Sequence, residues 1–368
     1  MSSGRLEKLY AIIEQAGLDA VALVPGANLY YLTGSAHHLM ERLFVLIIPL
    51  EGEPAAVLPN IEQELFASHG FEARLFPWRD ADGFDDALSA ASASFGGRLR
   101  AIGVEGKLMR FFEGEALRRH FPMAEVRGAE KALARLRLHK EPTEIDYLGR
   151  AVQISEAALA ETLREVRIGM TERTIANLLV AQLNAQGGEA LAFAPLVLAG
   201  ENSARPHGMV RDDYAIQPGD PLLFDFGAVF RGYNADITRT VFVGEPKPEY
   251  RAIYAAVKAA NEAARAAARP GMTADALDTV TLDRLKDAGF GSLILHKTGH
   301  GLGLEIHEDP YIMQGSPEVL EPGMVFTIEP GLYQSGSIGV RIEDNVVLTA
   351  EGCETLTTFP RELTVVGA

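Results

Sequence analysis

Along the first third of the chain, apolar positions alternate between helical and strand spacing. Leu6, Leu9, Tyr10 and Ile13 fall on one face of a predicted helix, with Ser2 or Ser3 as its cap and Gly17 as its stop. Residues 19–24, DAVALV, read as a strand ending at Pro25-Gly26. Residues 42–50, RLFVLIIPL, are apolar at almost every position, the pattern of a buried strand. Residues 54–59 and 100–105 read as two more strands, and 109–120 as a helix. These elements predict an α/β domain with its own core over residues 1–135, without a polar cluster of catalytic spacing. From 138 to 166 apolar residues recur at helical spacing, and Pro142 suits a helix start. A second domain is placed at 136–368.

That second domain contains an internal repeat. GMTERTIANLLVAQLNAQG (169–187) aligns without gaps on GMTADALDTVTLDRLKDAG (271–289). Gly-Met-Thr opens both segments and glycine closes both. QPGDPLLFDFG (217–227) then aligns on EPGMVFTIEPG (321–331), so that Asp225 falls on Glu329. Asp236 falls near Glu343, and His207 lies about one repeat before His307. A duplicated α/β unit, folded with approximate two-fold symmetry, would gather these matched acids around one axis.

Within 221–240, PLLFDFGAVFRGYNADITRT, two acids occupy apolar surroundings. Asp225 lies between Phe224 and Phe226, and Asp236 between Ala235 and Ile237. Carboxylates are seldom buried without a partner, because an unpaired buried charge costs several kcal/mol or gives up its ionisation. With Arg231-Gly232 as a two-residue turn, 230 faces 233, 227 faces 236 and 225 faces 238. Asp225 and Asp236 are then diagonal neighbours on one face, roughly 7–8 Å apart. A slip of one residue would send them to opposite faces. A nitrogen ligand is expected from His296, His300 or His307, which lie among Gly299, Gly301 and Gly303. Glu329, in MVFTIEPG, and Glu343, in GVRIEDN, complete the candidate set. Four carboxylates and one imidazole exceed the needs of one small cation and suit two divalent ions. The oxygen-rich set fits Mn²⁺ first, with Co²⁺ or Zn²⁺ as alternatives.

Composition narrows the setting. The chain is 47% hydrophobic and 23% charged, as in ordinary soluble proteins. Its net charge of −16 argues against nucleic acid or an anionic membrane as the main partner. One cysteine, Cys353, permits no intrachain disulfide and no cysteine zinc site. Glu7 and Glu14 interrupt the N-terminal apolar residues, and no run of about 18 apolar residues exists to span a bilayer. The expectation is a cytoplasmic protein.

FDFGAVFRGYNADITRT, HKTGHGLGLEIHE, FTIEPG and GVRIEDN, in this order, resemble the pita-bread metallopeptidases. That group includes methionine aminopeptidase, aminopeptidase P, prolidase and creatinase. The similarity covers about residues 140–368. NLYYLTG followed by RLFVLIIP resembles the creatinase-type N-terminal domain of the proline-directed members. The resemblance implies metal ligands at Asp225, Asp236, His300, Glu329 and Glu343. It implies that His207 and His307 line the substrate site, with supporting roles for His296, Tyr233 and Arg341. It also suggests a homodimer. Creatinase lacks this metal set, so the intact five argue against creatinase-like chemistry and against a catalytically silent binding module.

The implied reaction is hydrolysis of an Xaa-Pro bond. Glu329 would receive the proton of the attacking water, and His207 and His307 would stabilise the developing oxyanion or orient the peptide. The dipeptidase and the aminopeptidase P activities differ in whether the residue after the cut bears a free carboxylate. Arg42, where a loop enters the strand pattern 42–50, is the candidate to bind that carboxylate.

Overall fold

A computed structural model describes residues 3–367. The Ser2 cap lies outside these residues. The chain forms two compact units, residues 1–137 and 138–368.

The N-terminal unit is built on a six-stranded mixed sheet. Its spatial order is Arg74–Trp78, Ala55–Pro59, Val45–Pro49, Ala20–Leu23, Ala101–Val104, Glu125–Gly128. The two central strands are buried at every position, as the uninterrupted apolar runs predict. The helix Ser3–Gln15 ends before Gly17, which takes the left-handed conformation (φ 61°). Both edge strands escaped the sequence reading. Glu125–Gly128 is mostly exposed and carries Glu125 and Arg127, and Arg74–Trp78, though apolar from Leu75 onward, buries only Trp78, so neither shows a buried apolar run.

The second unit contains the repeat as two matching halves. Each half begins with a pair of helices, Pro142–Glu165 and Glu172–Ala185 in one, Pro248–Ala267 and Ala274–Asp287 in the other. The second helix of each pair is capped identically: Thr171 accepts from the Thr174 amide and Thr273 from the Ala276 amide. Three antiparallel strands follow. In the first half they are Leu196–Ala199, Pro221–Phe226 and Ile237–Val243, and in the second Gly299–Gly301, Val325–Ile328 and Asp344–Thr349.

The two sheets meet along a polar seam. The Glu343 amide donates to Thr238 O at 3.0 Å, and the Asp236 amide donates to Asn345 Oδ1 at 3.1 Å. The seam brings Asp225 and Asp236 of one half to Glu329 and Glu343 of the other.

Candidate metal centre

The hairpin that carries Asp225 and Asp236 has the predicted register. Phe230 opposes Tyr233, and Asp225 opposes Thr238. Arg231 (φ 51°) and Gly232 (φ 79°) both take the left-handed conformation, the geometry of a tight type I′ turn. Phe224 and Phe226 point into the hydrophobic core of the first half. The alternation of a strand therefore turns Asp225 to the opposite face, where it lines a cavity. In the second half His300 is the middle residue of Gly299–Gly301, and Glu329 follows directly on Val325–Ile328. Gly299 is required there, because a Cβ would overlap the Thr327 carbonyl of the neighbouring strand.

The cavity has a volume of about 280 Å³, at the small end for small-molecule sites. Asp225, Asp236, His300, Glu329 and Glu343 all line it, with His207, His296, His307, Lys297 and Arg341. Ligand atoms of Asp236, His300 and Glu343 lie within 4.8 Å of one another. His300 Nε2 is 3.3 Å from Glu329 Oε1 and 3.6 Å from Asp236 Oδ2. Arg341 reaches Asp225 through Nη2, Tyr333 Oη through Nη1 (2.8 Å) and Thr238 Oγ1 through Nε (2.9 Å). Thr238 passes its own hydroxyl hydrogen to Glu343 Oε2 at 2.6 Å.

The electrostatics calls for a cation. Burial, and then the charges of Glu343, Asp225 and Glu329, drive Asp236 well above the ordinary carboxyl range. Glu343 is raised for the same reasons, burial first. Burial lifts Glu329 to about 7 and outweighs the opposing pull of Arg341. Asp225 is also raised, because burial outweighs even its direct pairing with Arg341. Burial, with His307 alongside, depresses His300 to about 3, so its imidazole is neutral. His300 Nδ1 lies 3.1 Å from the Gly301 carbonyl, which can only accept, so the ring hydrogen sits there. The lone pair on Nε2 then faces carboxylate oxygens 3.3 and 3.6 Å away. Lone pairs opposed across a buried gap repel unless a proton or a cation lies between them. This donor set, one neutral imidazole among buried carboxylates, fits divalent metal.

A second chain of contacts runs outward from Arg341. A guanidinium only donates, so Tyr333 Oη accepts from it and gives its own hydrogen to His296 Nε2 at 2.8 Å. His296 Nδ1 donates to the Lys297 carbonyl at 2.7 Å. Burial depresses His296 to about 4, consistent with this neutral form. His207 and His307 are exposed on the rim, and the His307 ring meets that of His300 edge-on at 4.1 Å.

Two expected site residues are not among those that line the cavity. Tyr233 is buried, donates to Glu144 Oε1 at 2.8 Å and does not line the cavity. Its hydroxyl fastens the hairpin to the helix Pro142–Glu165. Arg42 lies in the N-terminal unit, where Asp80 takes Nε and Nη2 at 2.8 Å each and Glu41 takes Nη1 at 2.7 Å. A carboxylate already fills its planar fork, so a substrate carboxylate there would have to displace Asp80.

Sequence reasoning missed Lys297, the apolar wall of Phe193, Leu196 and Ile306, and the link through Tyr333. Lys297 stands within the HKTGH motif. Tyr333 carries no spacing signal, since its partner Arg341 is joined to it only through strand pairing.

A duplicated α/β unit that closes buried carboxylates and a histidine around one small cavity defines the pita-bread class of metallopeptidases. Residues 146–350 match the profile of Metallopeptidase family M24, and the chain belongs to that family. Residues 5–139 match the Creatinase/Prolidase N-terminal domain. The chain is 37% identical to a protein named probable dipeptidase PepE from Mycobacterium bovis, over 98% of this chain and 96% of the relative. Its structure resembles that of a prolidase from Thermococcus sibiricus with a TM-score of 0.93 at 32% identity, covering all of both chains. It also resembles an X-Pro aminopeptidase from Thermotoga maritima, with a TM-score of 0.84 at 31% identity, over 97% of this chain and all of the other.

Proposed function

We propose that this metallopeptidase hydrolyses the Xaa-Pro bond of dipeptides. Two divalent ions would be held by Asp225, Asp236, His300, Glu329 and Glu343, with Mn²⁺ favoured over Co²⁺ or Zn²⁺. The observation that carries this reading is the neutral imidazole of His300 set among buried carboxylates at the floor of a small cavity. When bound, the metal supplies an acidified water and polarises the scissile carbonyl. The protein supplies the rest. Glu329 takes the proton of the attacking water and delivers it to the proline nitrogen, which leaves as an amine. His207 and His307, on the rim, donate to the carbonyl oxygen as negative charge develops on it. Arg341 holds Asp225, and through Thr238 Oγ1 it helps to hold Glu343. The wall of Phe193, Leu196 and Ile306 offers the pyrrolidine ring an apolar surface. A dedicated site suits this substrate, because the Xaa-Pro amide has no N–H and its ring fixes the backbone.

The likeness to an X-Pro aminopeptidase supports a second reading, in which one residue is removed from the front of longer peptides. Xaa-Pro and Xaa-Pro-Xaa substrates, assayed side by side with and without chelator, separate the two. The dipeptidase reading expects faster turnover of the dipeptide, loss on chelation and recovery with Mn²⁺. Preference for the tripeptide would favour the aminopeptidase, and full activity in metal-free protein would overturn both. A cytoplasmic homodimer is part of the proposal, and sedimentation of the purified protein tests the dimer.

A further inference from the structure

We propose that Lys297 recognises the free carboxylate of the dipeptide and so sets the preference for dipeptides over longer chains. This rests on the Xaa-Pro reading above. The cavity is lined by four acids and two permanent cations, Arg341 and Lys297. A substrate that brings one more carboxylate into such a site needs a cation that is not already committed. Arg341 is committed: Asp225, Tyr333 and Thr238 take all three of its nitrogens. Arg42 is likewise held by Asp80 and Glu41.

Lys297 differs from both. It has no carboxylate partner among the described residues. Its ammonium lies over the face of Tyr311, with Nζ 5.3 Å from the ring centroid. Tyr311 is the strand partner of His300, so the ammonium is carried beside the metal cluster rather than into it. A half-buried ammonium on an aromatic face keeps its hydrogen-bond donors available to a ligand. The apolar wall completes the fit. Ile306 and Phe193 line the same cavity, so a proline ring could pack on carbon while its carboxylate meets Lys297. In a longer peptide that carboxylate becomes an amide, and the charge pairing is lost.

The test compares an Xaa-Pro dipeptide with its C-terminal amide, Xaa-Pro-NH₂, on the metal-loaded enzyme. The expected wild-type ratio of kcat/KM, acid over amide, is about 10 to 100, the range for a hydrogen bond to a charged group. Lys297→Met and Lys297→Gln should each collapse the ratio towards one, mainly through KM for the acid. Lys297→Arg should retain most of it. Melting temperatures near that of wild type would show that the variants fold, and the ratio is read within each variant, so a general loss of activity does not mimic the result. A ratio unchanged in both Lys297→Met and Lys297→Gln overturns the inference while leaving the Xaa-Pro reading intact. So does a ratio that collapses in Arg42→Ala instead. A wild type that cleaves neither compound overturns the Xaa-Pro reading and this inference with it.

Discussion

Glu329 faces two demands. As a ligand it must be ionised, yet burial without a cation raises its carboxyl to about 7 from an ordinary 4.5. A carboxyl whose folded pKa lies above its unfolded value holds its proton more tightly in the folded state. Its stabilising effect is full below the unfolded pKa and fades as pH climbs through the folded one. Taken alone, Glu329 should make the metal-free protein lose stability as pH rises from 4.5 towards 7. The raised Asp236 and Glu343 act in the same direction, and the depressed His300 and His296 act against it below their ordinary 6.5. Metal binding needs the ionised forms, so it opposes the trend. The gap in melting temperature between Mn²⁺-loaded and chelator-treated protein should widen across this window, and a gap that narrows would contradict the electrostatic account. Glu329→Gln keeps the shape of the side chain but removes its charge and its basicity. It should lower kcat by at least about 10²-fold, the lower bound for a lost general base, with little loss of melting temperature in the chelated form. Near-wild-type turnover would remove Glu329 from the mechanism. Which acids gather was legible in the sequence, because Asp225 and Asp236 stand in runs that must be buried. How Arg341 is committed was not, since Tyr333 and Thr238 reach it only through the folded strands.

At the scale of elements, the rim loop that presents His307 is fixed by one buried ion pair. Lys140 Nζ lies 2.7 Å from Glu308 Oε1, and both side chains are almost wholly enclosed. The backbone on the other side is tied down by Asn234, whose amide and side chain both donate to Gly303 O, at 2.9 and 2.8 Å. Removing one partner of a buried pair leaves the other charge uncompensated, at a cost of about 3–5 kcal/mol. Lys140→Met should therefore destabilise strongly and loosen His307. Pairing it with Glu308→Gln should recover part of the stability, because both charges are then removed together. Denaturant unfolding of the two single variants and the double variant measures the coupling, and strict additivity would show that the pair does not hold the loop. Helix boundaries were readable where Gly17 follows Ser3–Gln15 and Pro142 opens Pro142–Glu165. Thr171 and Thr273 cap the repeated helices, and Gly187 and Gly289 follow them with positive φ. The edge strands of the N-terminal sheet were not readable, because a half-exposed strand such as Glu125–Gly128 buries little apolar surface to mark it.

Over the whole catalytic unit, duplication explains why the site needs both halves. Asp225 and Asp236 come from the first set of strands, and His300, Glu329 and Glu343 from the second. Each half has its own hydrophobic core, so neither needs the cluster in order to pack its helices onto its sheet. The halves also share two apolar clusters, one joining Tyr233 to Val325 and Val347 and one joining Phe242 to Val340 and Ile342. The acids add a charged contact at the seam, where Asp236 meets Asn345 and Glu343 meets Thr238. Without a cation, four carboxylates repel one another across that seam. With one, the same carboxylates pull the halves together. A ligand that binds only the folded form stabilises it by about 2.7 kcal/mol at a hundredfold excess over Kd. That stabilisation should be concentrated at the seam and not spread over the chain. Hydrogen exchange, followed peptide by peptide with and without Mn²⁺, tests this. Protection should rise most in Pro221–Phe226, Val325–Ile328 and Asp344–Thr349. The N-terminal sheet, Ala20–Leu23 and Val45–Pro49 in particular, should change little, because none of the five proposed ligands lies in that unit. A uniform rise over both units would mean that metal acts on global stability alone. No rise at the seam strands would remove the five residues as joint ligands, whatever the activity of the loaded enzyme.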